Sequence, residues 1–386
     1  MSNEVIWFDS SEVGAPTLTN AAGSLVEILR ACLINGFGSK SVTSISVTSG
    51  VATATCAAHG FSDKYGKLVL VAGSSEALLN GRKQIGGITT NTFTFPAPGV
   101  ANGTYSGTVT AKRAPLGWVE AHSGTNKAIF ARSVPEANAQ MLRVDDTTTA
   151  PSSVTDARAL IVESATGVDA YTNPAPTEAL LSGGTYIHKG SNIATAKPWV
   201  IVGGDRFFYL VTANNPTPTT YQYSPYYFGD GVAYQTPDPY FTMLAGNNLT
   251  NNPTNSRSAD LTSPAVGPTV SSRVLSRNFA ASLVSARFNP IGTGAAGNIG
   301  GASNGQISTT SVVVQSPVMV LEEGSDFLIR GAIPGLANPL ARVPFAALPQ
   351  FSIVEVFGSS RKFLSVLYTC SSVQGNLLID LTGPWY

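Results

Sequence analysis

Charge is scarce in this chain. Only 12% of its 386 residues are Asp, Glu, Lys or Arg, and 23 basic side chains are matched by 23 acidic ones, about half the usual share. The balance leaves no basic face to track a phosphate backbone, so direct nucleic-acid binding is not expected. It also removes the repulsion that keeps soluble monomers apart, which suits a protein that works inside an assembly. Cysteine is rare as well: Cys32, Cys56 and Cys370 have no metal spacing and cannot all pair within the chain. They are expected to be reduced, small apolar residues of a chain made in the cytoplasm. Of the three histidines, His59 precedes a turn and His188 is read at a strand end; both are expected to be structural rings, not metal ligands. No apolar run approaches the ~18–20 residues that span a bilayer. The opening residues are acidic, with no basic stretch followed by an apolar one, and are not expected to act as a signal peptide.

What the chain has in quantity is apolar and turn-forming residues. Hydrophobic residues make up 43%, with 38 Gly and 24 Pro, enough to bury sizeable cores and a composition that favours strands. One helix is clear: Leu25, Ile28, Leu29, Cys32 and Leu33 lie on one helical face. Asn20 is its expected N-cap, and Asn35 with Gly36 its stop. From Val42 to about Thr110 short alternating runs take over, at 45–48, 51–54, 67–71, 84–88 and 92–95. Ser49-Gly50 and Asn80-Gly81 sit at the expected hairpin turns. Beyond it, strands are expected at 127–132, 140–144, 159–162, 199–202, 206–211, 311–314, 318–321, 327–330, 353–356 and 363–368. The predicted fold is mainly β, a multi-domain β-sandwich or barrel-like architecture with one short N-terminal amphipathic helix. Its divisions are 1–41, packing on the main body; 42–112, a small all-β module; and 113–386, a larger β-rich body. Long loops are expected near 214–258 and 288–310.

No constellation of catalytic residues stands out, so no enzyme, metal or cofactor is expected. Gly292, Gly294 and Gly297 match a dinucleotide-binding spacing, but Pro290 precedes them and no helix former follows. In the acid pairs Asp145-Asp146 and Glu322-Glu323 neighbouring strand residues point to opposite faces, which disfavours paired-carboxylate catalysis, and turn formers follow both, so they are read as solvated turn carboxylates. Asp205, Asp230 and Asp238 lack the spacing of a calcium loop. The unusual feature is aromatic: Tyr223, Tyr226, Tyr227, Phe228, Tyr234 and Tyr240 are candidates for a subunit interface or, as an alternative, for contact with a host glycan. The second candidate is an intersubunit arm. No charged residue lies between Arg287 and Glu322, and Asn289, Gly294, Asn298 and Asn304 mark its Gly/Ser/Asn-rich part.

Several segments resemble ones found in virion proteins of tailed bacteriophages. Residues 50–61, including His59, Gly60 and Phe61, with 67–73, Leu79-Asn80-Gly81 and Thr92–Pro96 are similar to a small β-module of tail and fibre proteins. Its usual Gly-Asp turn is replaced here by Asp63-Lys64-Tyr65-Gly66. Flanking segments resemble phage structural proteins: Gly14–Pro16 with Leu18, Gly23–Leu25, Gly36–Gly38, Lys197–Val200, Asp205–Tyr209, and Arg330-Gly331 with Pro334–Leu336. The resemblance implies a tail-tip or baseplate component of the virion that links neighbouring subunits and is assembled in the host cytoplasm. Its implied partners are other tail proteins and copies of itself, with no nucleic acid bound and no membrane insertion. A glycan receptor-binding module and a head-decoration or neck protein are the alternatives.

Overall fold

The structure, a computed structural model, describes residues 4–147, 154–218, 222–246, 273–291, 314–315, 318–323, 328–339, 349–355, 360–370 and 373–385. It is mainly β, with several antiparallel sheets and one short helix. Its centre is a six-stranded sheet in the order Ile6–Asp9, Trp199–Gly203, Phe207–Ala213, Tyr223–Asp230, Thr242–Ala245, Arg273–Leu275. Register is continuous across it: Phe8 faces Ile201, Tyr209 faces Tyr227, and Phe228 faces Leu244.

Both faces of this sheet are covered. One face presents Phe8, Ile201, Phe208, Leu210 and Phe228 to a core shared with the helix and with Phe130, Leu142 and Ile161. The last three belong to a five-stranded sheet built from Val119–Gly124, Lys127–Ala131, Met141–Asp145, Val154–Val162 and Thr185–Ser191. The opposite face presents Trp7, Val202, Phe207, Tyr209 and Tyr227 to Val320, Ile333, Val366 and Ile379 of two further sheets. The result is three β layers. A strand buried on both sides has no polar face, so its sequence reads as a solid apolar run instead of an alternating one.

The helix is regular over Ser24–Leu29 and widens into a π-turn over Arg30–Asn35. Asn20 is not its cap. Gly23, in the left-handed region at φ 85°, starts it, and the Leu25 N–H is taken by the Asp146 carboxylate at 2.8 Å, a cap from far along the chain. Gly36, at φ 69°, ends the helix as expected.

Residues Val42 to Ala111 hold a hydrophobic core of their own, including Ile45, Val71, Phe93 and Phe95. It lies between two four-stranded sheets. One comprises Phe37–Ser41, Gly107–Arg113, Leu68–Ser74 and Gly81–Gln84; the other, Thr92–Pro96, Val51–Thr55, Ser44–Thr48 and Gly103–Tyr105. Ser49-Gly50 does form a tight hairpin, with Thr48 opposite Val51. Asn80-Gly81 does not: Gly81 pairs with Val71, and the chain between them loops out through a 3-10 turn at Ala77–Leu79. The strand expected at 84–88 falls instead at Gly81–Gln84. The loops expected near 214–258 and 288–310 are also shortened, because Tyr223–Asp230, Thr242–Ala245 and Phe288–Ile291 are strands.

Candidate functional site

Four of the six candidate aromatics point into the molecule. Tyr223, Tyr226, Tyr227 and Phe228 are 7%, 2%, 1% and 1% exposed on the central strand. The Tyr226 hydroxyl accepts the His188 N–H at 3.0 Å, the Tyr227 hydroxyl donates to the Asp230 carbonyl at 2.6 Å, and Phe228 packs on Trp118. Burial drives the Tyr226 phenol pKa upward. These rings are core, not a surface for a neighbour or a glycan. Tyr234 is exposed, and Tyr240 is half-buried with the Arg277 guanidinium 5.2 Å from its ring centre. Of the proposed arm, Asn289 pairs with Leu321 in a strand. Gly294, Asn298 and Asn304 lie outside the described residues, as does the glycine motif at 292–297.

Several of the chain's few charges are buried. At the junction between the small module and the body, Lys67 and Arg113, each 1% exposed, meet Asp9 and Glu12 from the N-terminal segment. The Lys67 ammonium donates to Asp9 Oδ2 and, at 2.8 Å, to Glu12 Oε1. It also stands 3.8 Å from the centre of the Trp7 ring. Arg113 places Nε 2.5 Å from Glu12 Oε2 and donates to the carbonyls of Leu68 at 2.5 Å and Trp7 at 3.0 Å. Glu12 Oε1 takes the Asp9 N–H, and Asp9 Oδ1 takes the N–H and hydroxyl of Ser11. Burial raises the Asp9 pKa, but the Lys67 charge and the Ser11 donors outweigh it and hold the carboxyl below its ordinary value. Two cations and two anions therefore cancel in a nearly dry site, with the Trp7 indole N–H fixed on the Tyr65 carbonyl at 2.7 Å.

Other charges are used the same way. Asp146 is not a solvated turn carboxylate: it is fully buried against Lys189, Nζ to Oδ1 2.5 Å, while capping the helix. Burial, the larger effect, raises its pKa against the pull of Lys189. Glu322 is buried against Arg330, which also grips Asp238, and Glu323 pairs with Arg287. Asp230 binds Arg132 at 3.0 Å. His188 is in mid-strand, not at a strand end, and its Nδ1 pairs with Asp156. His59 accepts the Phe61 N–H at Nδ1, which places its proton on Nε2, facing the Thr89 and Thr92 carbonyls. Among the described residues, no three or more His, Cys, Asp or Glu side chains are grouped to hold a metal.

The local signal for these clusters is slight. A lone Lys or Arg inside an apolar run, as in Thr185–Ser191 or Arg273–Leu275, must find a buried partner. Nothing in the run names that partner. No protein-family model matches the chain, and no curated protein matches it significantly.

Proposed function

We propose that the chain is a structural component of a tailed bacteriophage particle, placed at the tail tip or baseplate, where it links neighbouring subunits. The observation that carries this reading is the module junction. The module has its own core, at 42–111, yet Lys67 and the adjoining Arg113 seat it on Asp9 and Glu12 of the N-terminal segment. A buried, neutral ionic cluster tolerates little reorientation, because breaking one partner strands a charge at a cost of about 3–5 kcal/mol. Such a joint suits a part that holds its neighbours in register. The likeness of residues 50–61, 67–73 and 92–96 to the tail and fibre module supports the same reading, as does a chain whose net charge is zero.

The partners in this proposal are other tail or baseplate proteins and further copies of the chain, in the virion, after assembly in the host cytoplasm. The test is gold-labelled antibody against the chain on purified phage particles from the producing culture. Label at the tail tip is expected. Label on the head or neck would favour a decoration role, and particles free of the chain would overturn the proposal.

A further inference from the structure

The geometry points to a covalent link at the module junction: an isopeptide bond between the Lys67 side-chain amine and the Asp9 side-chain carboxyl, formed by the folded chain on itself. Three requirements of that chemistry meet here. An amine and a carboxyl must be held in contact away from bulk water. Lys67 Nζ touches Asp9 Oδ2, with the Lys67 side chain 2% and the Asp9 side chain 17% exposed. A third group must move protons between them. Glu12 Oε1 is 2.8 Å from Nζ, its side chain is 8% exposed, and its other oxygen lies 2.5 Å from Arg113 Nε. Donors must also face the oxygen that gains charge during attack. The Ser11 N–H, at 2.9 Å, and the Ser11 hydroxyl both donate to Asp9 Oδ1. The Trp7 face, 3.8 Å from Nζ, closes one side of the site.

The step balances without a co-reactant. One proton passes from the Lys67 ammonium to Asp9 Oδ2, leaving a neutral amine and a neutral acid. Nζ attacks Cγ, and Oδ1 takes negative charge against the Ser11 donors. Glu12 accepts a second proton from Nζ and delivers it to Oδ2, whose bond to Cγ breaks as water leaves. Lys67 and Asp9 end as an amide, Glu12 is again a carboxylate, and its pairing with Arg113 remains neutral. The partial exposure of Asp9 gives the water a way out. Lys189 with Asp146 is the internal contrast. That pair is fully buried, but among the described residues no second carboxylate pairs with Lys189, and Asp146 Oδ2 is committed to the helix N–H.

The test is intact mass and peptide mapping of the purified full chain after denaturation. The expected result is a chain lighter by one water, with a branched peptide joining the segments around Asp9 and Lys67 and none joining Asp146 to Lys189. Lys67→Arg keeps the charge, cannot form the amide, and is expected to restore the full mass. Glu12→Gln should do the same or slow the loss of water at least tenfold on refolding. A folded wild-type chain of full mass would overturn the inference. So would a branched peptide that persists in Lys67→Arg.

Discussion

Two neighbouring carboxylates, Asp145 and Asp146, show how little residue type alone determines. Asp145 is half-buried and shares Arg143 and Lys127 at 3.0 and 3.4 Å near the surface. Asp146 is sealed against Lys189. Asp146→Ala is therefore expected to cost about 3–5 kcal/mol in urea unfolding, because Lys189 is left buried and unpaired and the helix loses its cap. Asp145→Ala should cost under about 1 kcal/mol. Lys197 makes a second residue-scale prediction. Its buried ammonium donates to the Ile193 carbonyl at 2.9 Å, and burial first, then repulsion from Lys189, lowers its pKa to about 8 from 10.5. Between those values the unfolded chain binds more protons than the folded one, so stability rises with pH through that window and falls as pH drops through about 8. The midpoint of thermal unfolding should be higher at about pH 10 than at about pH 7 by a margin that Lys197→Met removes. Neither the depth of Asp146 nor that of Lys197 is written in its neighbours, since each is set by residues distant in the chain.

At the scale of elements, alternation was legible and uniform burial was not. The runs at 45–48, 51–54 and 92–95 alternate because one face of each strand meets solvent, and each is a strand. Tyr223–Asp230 is buried on both faces and carries no period, so it reads as bulk; only its place between two apolar layers explains it. The helix was legible from its apolar stripe, while its cap was not, because Asp146 is distant in sequence. The turn at Gly335 offers a test of element packing. At φ 59° it links Ile329–Ile333 to Leu336–Pro339, and a Cβ there would stand 2.1 Å from the Trp385 ring, which itself stacks on Phe207. Gly335→Ala must both strain the turn and displace the ring. A loss of about 1–3 kcal/mol is expected, with a shift in tryptophan emission as Trp385 meets water.

At the scale of the whole molecule, several charges sit at the seams between its parts. Lys67, Arg113, Asp146, Lys189, Asp230, Glu322 and Arg330 are all buried, and the first four tie the N-terminal segment to the module and to the five-stranded sheet. Salt should therefore affect unfolding weakly, since buried pairs are poorly screened. The midpoint at about 1 M sodium chloride should lie close to that at about 0.1 M, where a fall of many degrees would contradict this placement. The strand Ile6–Asp9 has one more consequence. Its partner is Trp199–Gly203, so the first strand of the sheet cannot pair until almost two hundred further residues have left the ribosome. The module at 42–111 is complete long before that and can close on its own core. During synthesis the module can thus close first, with the opening strand left unpaired until the middle of the chain arrives to receive it.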